Sequence, residues 1–206
     1  MRSFHQSPTM RIVPLLFLLL ICTCTRAQLL DAIALDTVRT YRSLERALED
    51  PMRVYKLDLS KQKLKELPEE LRRLPNLNSL DLGHNKLKTL PEWISEFAHL
   101  QEFSANNNRM VNFPEAICAL RHLKRLDMSR NALISLPACL GRLEQLTSLD
   151  LWSNDLASFP DELERMEALR YVDLRVIQFS PKEMEHIADL WPRAKIQFSA
   201  PCNCGM

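Results

Sequence analysis

The stretch LNSLDLGHNKLKTLPEWISEFAH, residues 77–99, decides the fold because its pattern recurs along the chain. Apolar residues occupy positions 1, 4, 6, 11, 14, 18 and 21 of this 23-residue unit, and position 15 is a proline in five consecutive units. The six units begin at Val54, Leu77, Leu100, Leu123, Leu146 and Leu169. A repeat of this length predicts a stacked architecture, because one unit cannot bury its own leucines.

Each unit predicts one strand and one return segment. Positions 4 and 6, such as Leu57 and Leu59, alternate with polar residues at the period of two that is typical of a half-buried strand. After the proline the apolar spacing becomes three, as in Leu71 and Leu74, which predicts a helical or extended segment. The proline suits the first position of a helix, and the acidic residue after it in four units is favourable near a helix N-terminus.

The repeat consensus, LxxLxLxxNxLxxLPxxLxxLxx, resembles the leucine-rich repeat, specifically the 23-residue subtype of Ras-suppressor-like and small secreted bacterial proteins. The resemblance covers residues 54–179 and implies an α/β solenoid. Its curved parallel β-sheet would form the concave face, short helical or extended segments the return face, and helical caps the two ends.

Position 9 of the unit is an asparagine in the four central units, with Gln62 and Ile177 replacing it at the ends. The four are Asn85, Asn108, Asn131 and Asn154. In the family this asparagine forms hydrogen bonds with the backbone of its own and adjacent coils. Because a buried amide must find partners, we predict that these residues are structural and do not bind a ligand.

The N-terminal end of the stack needs a cap, because an open coil would expose leucines. Residues 28–53 predict a helical cap in which Ser43 is the N-cap and Pro51 ends the helix. Leu44 and Leu48 would face the core.

Residues 180–206 predict the opposite cap, which contains a helix, an edge strand at 195–198 and a tail with Cys202 and Cys204. Ser180 and Glu183 would form a capping box, with Pro181 at the first helical position. The apolar stripe of this helix would consist of Met184, Ile187 and Leu190. Repeats and caps together leave no residues for a catalytic domain.

Residues 1–27 have the features of a signal peptide. Arg2 and Arg11 precede an apolar run at 12–22, whose 11 residues are too few to span a membrane as a helix. Cleavage after Ala27 would give an exported protein that is secreted, periplasmic or at the cell surface. Met10 is an alternative start, and Cys24 is an alternative site of processing that would attach a lipid anchor.

Charge argues against a nucleic-acid partner. Without residues 1–27 the chain has 24 basic and 26 acidic residues, a net charge of −2, and no segment contains a basic run. We predict a monomer.

The cysteines outside the leader are Cys118, Cys139, Cys202 and Cys204. The first two occupy positions 19 and 17 of successive units, and the sequence leaves open a disulfide or two free thiols. The terminal CNCG offers two metal ligands without a partner cluster, so we predict no metal and no cofactor.

Position 5 of the unit places a column of carboxylates on the concave face. The column consists of Asp58, Asp81, Ser104, Asp127, Asp150 and Asp173. It predicts either a site for a cation or basic ligand, or a family feature whose charge is offset by nearby bases, and we favour the second interpretation. The candidate bases are Lys56, Arg125, Arg130, Arg170 and Arg175. His84 lies near Asp81, but without an aligned nucleophile we predict a surface residue there.

Trp152 departs from the repeat, since position 7 holds small or polar residues in the preceding units. It either shields neighbouring apolar stems or contacts a ligand, and tryptophan, tyrosine and arginine dominate binding hot spots. The predicted ligand-binding residues are Trp152, Tyr171, Arg175, Arg130, Asp150 and Asp127. The leading hypothesis is an exported, non-enzymatic module that binds a protein or peptide on its concave face. The alternatives are a lipid-anchored adhesion or spacer protein and, less favoured, an intracellular signalling scaffold.

Overall fold

A computed structural model of the protein describes residues 29–199. Its eight strands form one parallel sheet in which the strand order follows the chain. The strands are β1 Thr40–Tyr41, β2 Lys56–Asp58, β3 Ser79–Asp81, β4 Glu102–Ser104, β5 Arg125–Asp127, β6 Ser148–Asp150, β7 Tyr171–Leu174 and β8 Lys195–Phe198. Three α-helices accompany them: α1 Ala32–Thr37, α2 Leu44–Ala47 and α3 Pro181–Leu190.

The sheet register follows the sequence repeat. From β2 to β7, paired residues are 23 apart, so Leu57 pairs with Leu80 and Leu80 with Phe103. Each unit therefore forms one coil of a solenoid, and the predicted architecture is confirmed. The apolar positions of all coils meet between sheet and return segments in one continuous core, where Leu77, Leu100 and Leu146 are fully buried.

The return segments are 3-10 helices. Five of them, one in each of the first five units, are Glu69–Arg73, Glu92–Glu96, Glu115–Ala119, Ala138–Arg142 and Asp161–Arg165. The prediction of proline at the first helical position is wrong: Pro68 has φ −64° and ψ 132° and is the N-cap. From there its carbonyl oxygen accepts a hydrogen bond from Leu71 N–H at 3.2 Å, which satisfies one donor of the helix N-terminus.

Cys118 and Cys139 form a disulfide, with their Cα atoms 5.7 Å apart. The sequence left this open because the two residues occupy different columns. On the return face, however, position 19 of one coil lies against position 17 of the next. The same offset brings Gly141 so close to Glu162 that a Cβ at Gly141 would clash with the backbone carbonyl oxygen of Glu162.

The N-terminal cap is more elaborate than predicted. Ser43 accepts a hydrogen bond from Arg46 N–H and caps α2, and Leu48 packs against the core, as expected. Helix α2 ends at Ala47, however, and Pro51 begins a 3-10 helix, Pro51–Arg53, instead of ending α2. The sequence analysis also missed α1 and β1, because two-residue strands and six-residue helices carry too little periodicity to recognise.

The C-terminal cap agrees with the prediction. Ser180 and Glu183 form the capping box at the start of α3. Ile187 and Leu190 are buried, Met184 is partly exposed, and β8 pairs with β7 as the edge strand. Trp191 closes this end of the core, where its indole N–H donates a hydrogen bond to the Leu163 carbonyl at 2.9 Å.

Candidate functional site

The concave face contains a groove with a volume of about 400 Å³, to which β1 to β6 contribute. Its lining consists largely of positions 3 and 5 of the units, whose side chains point away from the core. The charged lining residues are Lys56, Asp58, Asp81, Glu102, Arg125, Asp127 and Asp150. Five of these seven are acidic, so the groove carries a net negative charge. We call this surface the acidic groove.

The aspartates have a structural role that the sequence analysis missed. One carboxylate oxygen of each accepts a hydrogen bond from the backbone N–H two residues later, where the strand ends. The Gly83 N–H donates to Asp81 at 2.7 Å, and the Trp152 N–H donates to Asp150 at 3.0 Å. The same contact recurs at Asp58, Asp127 and Asp173. This turn explains why aspartate recurs at position 5.

Among the bases predicted to offset this column, only Arg175 pairs with one of its aspartates, and the other end is neutralised by Arg42, which was not predicted. Arg42 pairs with Asp58 at 3.6 Å, and Arg175 pairs with Asp173 at 2.6 Å. Arg125, expected to offset the column, pairs with Glu102 instead.

The central carboxylates of the column lack such partners. Within the part of the chain that the structure describes, no basic side chain forms an ion pair with Asp81, Asp127 or Asp150. Lys56, Arg130 and Arg170, which were predicted to offset the column, form no ion pair with an aspartate of the column among residues 29–199.

The pKa values of Asp81, Asp150 and Asp173 follow this division. Burial raises the pKa of Asp150 to about 6, assisted by the negative charges of Asp127 and Asp173. Burial also raises the pKa of Asp81. Burial alone would raise the pKa of Asp173 as well, but its hydrogen bonds with Arg175 outweigh that effect and lower it.

Replacing Asp150 with asparagine is expected to stabilise the protein at neutral pH. Because the pKa of Asp150 rises from 3.8 to about 6 on folding, its contribution to stability is fully present below pH 3.8 and is lost as the pH rises through 6. A tenfold difference in proton affinity is worth about 1.4 kcal/mol. Because Asp150 is partly solvated, we expect screening to reduce the stability that is lost when Asp150 ionises to about 1 kcal/mol.

Denaturant unfolding of wild type and Asp150→Asn at several pH values measures this effect. The variant should be more stable by about 1 kcal/mol at pH 7 and equal to wild type near pH 4. Its amide oxygen can still accept the Trp152 N–H. A variant that is less stable than wild type at pH 7 would show that the charge of Asp150 helps the fold.

Trp152 follows β6 and lies beside the acidic groove with its side chain partly exposed. The guanidinium carbon of Arg130 lies 4.5 Å from the centre of its ring, which is the geometry of a cation–π contact. Arg130 is the exposed residue at position 8 and has a positive φ of 53°. That position adopts the left-handed conformation in all six coils, a feature that the sequence analysis did not identify.

Tyr171 and Arg175 are held by the carboxylate of Asp173, which is only 2% exposed. Arg175 donates hydrogen bonds to both carboxylate oxygens, from Nε at 3.0 Å and from a terminal nitrogen at 2.6 Å. The Tyr171 hydroxyl donates to the same carboxylate at 3.3 Å. Asp173 was not among the predicted site residues. Its position between Tyr171 and Arg175 in the sequence could have indicated that it contacts them.

The six predicted site residues lie on or directly after three consecutive strands, β5 to β7. Asp127 and Asp150 line the acidic groove itself. The other four, which we call the Trp152 patch, lie beside it: Arg130, Trp152, Tyr171 and Arg175. Nothing in the structure tests whether these six residues bind a ligand, so their role stays a prediction. His84 is exposed and lies within 2.6 Å of the Asn107 amide, as expected for a surface residue.

Residues 29–199 contain no helix long and apolar enough to cross a membrane. Among these same residues, no group of three His, Cys, Asp or Glu side chains could hold a metal ion. The predicted leader, Cys24, Cys202 and Cys204 lie outside the described residues.

Two family models described as leucine-rich repeats match the sequence, at residues 53–110 and 122–143. These segments coincide with coils of the parallel sheet. The chain folds as a leucine-rich repeat solenoid. No curated protein sequence matches it significantly.

Solved structures place this leucine-rich repeat chain among bacterial and plant proteins of the same fold. A leucine-rich repeat protein of Leptospira interrogans is 32% identical over 80% of this chain and 47% of its own, with a TM-score of 0.61. Internalin C2 of Listeria monocytogenes is 23% identical over 71% and 62% of the two chains, with a TM-score of 0.60, and shows the fold alone.

A plant structure is also similar. The ectodomain of the Arabidopsis thaliana membrane receptor kinase GASSHO1/SCHENGEN3, in complex with CASPARIAN STRIP INTEGRITY FACTOR 2, is 25% identical over 70% of this chain, with a TM-score of 0.56. The chain spans only 18% of that ectodomain and less than two thirds of each of the two bacterial proteins. The leucine-rich repeat fold is commonly used for protein–protein binding and is generally non-enzymatic.

Proposed function

We propose that this leucine-rich repeat chain is an exported, non-enzymatic module that binds a protein or peptide on its concave face. The observation that carries the proposal is the Trp152 patch. A partly exposed tryptophan, stacked under Arg130, lies next to a tyrosine and an arginine on an open sheet. We further propose that the repeats are of the 23-residue Ras-suppressor-like subtype, which the 23-residue sheet register supports.

The geometry of the patch supports a binding role because its side chains are already held in place. Asp173 fixes Tyr171 and Arg175, and Arg130 stacks on Trp152. Side chains that are ordered before binding lose less conformational entropy when a partner arrives. Tryptophan, tyrosine and arginine are also the residue types that contribute most to protein interfaces.

The plant receptor ectodomain supports the choice of a protein partner. That structure holds CASPARIAN STRIP INTEGRITY FACTOR 2 in complex with a leucine-rich repeat domain of the same fold. By analogy, a solenoid of this kind can present a surface to another protein.

Export is supported by the disulfide between Cys118 and Cys139, because disulfides persist mainly in oxidising compartments. The signal-peptide features of residues 1–27 agree with it. N-terminal sequencing of the protein purified from its native cells tests this part of the proposal. A start at residue 28 supports a secreted form, a lipid-modified Cys24 supports a surface anchor, and an intact leader contradicts export.

Replacing Trp152 and Arg175 with alanine is expected to weaken ligand capture by at least roughly 30-fold, the loss expected for a single hot-spot residue. Loss of a hot-spot residue costs at least about 2 kcal/mol, and about 1.4 kcal/mol corresponds to a tenfold change in affinity. Trp152→Ala alone should change the stability by less than about 1 kcal/mol, since its side chain lies outside the core. Arg175→Ala should lower the stability more, because it leaves the buried Asp173 carboxylate without its cationic partner. The measurement is quantitative pull-down from the surface and secreted fractions, with thermal unfolding of the same variants.

The matched control replaces Glu115 and Arg142, which are exposed on the return face, with alanine. We expect this control to capture the same proteins as wild type. Unchanged capture by Trp152→Ala/Arg175→Ala would exclude the Trp152 patch as the binding surface.

A further inference from the structure

The aspartate column of the concave face is neutralised at its two ends and not in its middle. Arg42 and Arg175 belong to this chain and pair with the two terminal aspartates of the column, Asp58 and Asp173. The carboxylates between them, Asp81, Asp127 and Asp150, have no basic partner within residues 29–199. The unneutralised part coincides with the groove on the concave face.

We propose that this groove holds an extended cationic segment of the protein partner, whose lysine or arginine side chains lie over the three central aspartates. The inference rests on the proposed function, because it assumes that a protein ligand occupies the concave face. It adds the chemistry of that ligand: a segment with several basic side chains on one side.

Spacing favours an extended segment that crosses the strands. Asp81 and Asp150 are on β3 and β6, three strand spacings or about 14 Å apart. Alternate side chains of an extended chain point the same way and are about 6.7 Å apart, so three of them span about 13 Å. The outer two of three basic residues at alternate positions therefore match the separation of Asp81 and Asp150. Asp127 is on β5, about 10 Å from Asp81, so the middle basic residue must bend its long side chain to reach it.

Neutral groups hold the carboxylates in place without removing their charge. Asp127 accepts hydrogen bonds from the Ser129 hydroxyl at 2.6 Å and from the Asn106 amide at 2.8 Å. Such partners orient the oxygens but leave the negative charge for a ligand to neutralise. Burial and the negative charge of Asp127 raise the pKa of both Asp81 and Asp150, and Arg175 opposes this shift only in part at Asp150.

The two basic residues of the groove, Lys56 and Arg125, form no ion pair with the three central aspartates. Arg125 is engaged by Glu102, which also accepts a hydrogen bond from the Ser79 hydroxyl at 3.0 Å. Ser79 and Ser148 line the groove beside the aspartates and are small. They leave room above the sheet for long side chains such as lysine and arginine.

Calorimetric titration with two synthetic peptides tests the proposal. The probe is a peptide of about ten residues that alternates lysine and serine, and its counterpart alternates glutamate and serine. The test variant is Asp81→Asn/Asp127→Asn/Asp150→Asn, in which each amide oxygen can still accept the backbone N–H at the strand end. The control variant is Glu92→Gln/Glu115→Gln/Glu162→Gln, which makes the same change in net charge on exposed return-face residues.

Wild type and control should bind the lysine peptide with affinities within about twofold of each other. The test variant should bind it roughly tenfold more weakly, since three partly solvated ion pairs together contribute about that much. The glutamate peptide should not bind. Equal weakening in both variants, or no binding of the lysine peptide to wild type, overturns the proposal. If the Trp152 patch still captures a protein in that case, the proposed function stands and only the cationic ligand is excluded.

Discussion

Replacing Asn85 with alanine is expected to lower the free energy of unfolding by about 3 kcal/mol. The Asn85 amide nitrogen donates hydrogen bonds to the carbonyl oxygens of Leu59 at 3.0 Å and Leu82 at 2.8 Å, which lie in neighbouring coils. Its oxygen accepts the Leu64 N–H at 3.0 Å. Alanine leaves the Leu59 carbonyl and the Leu64 N–H without these partners, whereas the Leu82 carbonyl keeps its hydrogen bond from the Asn108 amide at 3.0 Å. Each buried group that loses its partner costs about 1–3 kcal/mol.

Denaturant and thermal unfolding measure this loss. For a domain of this size, 3 kcal/mol corresponds to a fall in melting temperature of roughly 6–12 °C. Gln62 is the matched control, because it occupies the same position in the first coil and its side chain reaches only the Arg42 carbonyl at an exposed site. Gln62→Ala should cost less than about 0.5 kcal/mol. Equal effects of the two substitutions would contradict the structural role of the asparagines.

Removing the disulfide is expected to cost a comparable amount. Cys118 and Cys139 are separated by 21 residues, and closing a loop of that length restricts the unfolded chain by about 3 kcal/mol. The variant Cys118→Ala/Cys139→Ala should therefore unfold at a lower denaturant concentration than the oxidised wild type.

Reductant supplies the control for this prediction. It should lower the stability of wild type towards that of Cys118→Ala/Cys139→Ala and leave the stability of the variant unchanged. Peptide mapping of the oxidised protein should recover a linked pair of peptides that contain Cys118 and Cys139. Recovery of both as free thiols from protein purified under oxidising conditions would contradict the disulfide.

The repeat could be predicted from the sequence because each coil repeats the same physical requirement. Leu57 and Leu80 are buried at the same position of successive coils, and Asn85 bonds to backbone in its own coil and the one before it. One unit therefore predicts its neighbours, down to the strand register. The capping box of Ser180 and Glu183 was predictable for a related reason, since it depends only on residues three apart.

Features that depend on the offset between coils were not predictable in this way. The link from Cys118 to Cys139 requires position 19 of one coil to lie against position 17 of the next, which no single unit encodes. Likewise, the sequence placed Arg125 near the aspartate column, but the side chain pairs with Glu102. Whether an arginine reaches one carboxylate or another is decided by side-chain geometry on the curved sheet.

The candidate site was predictable only as an exception to the repeat. Trp152 was conspicuous because the same position in the preceding coils is small or polar. The carboxylate that organises its neighbours, Asp173, resembles every other aspartate of the column in sequence and differs only in its burial and its pairing with Arg175.

We propose that a protein partner occupies the concave face beside Trp152. Site-specific photo-crosslinking tests it most directly, with a benzophenone amino acid replacing Trp152 in one protein and Glu115 of the return face in another, each produced in the native cells. We expect a discrete crosslinked protein from position 152, lost when Arg175 is also replaced with alanine, and none from position 115. Crosslinking from position 115 alone, or identical products from both positions, would contradict it.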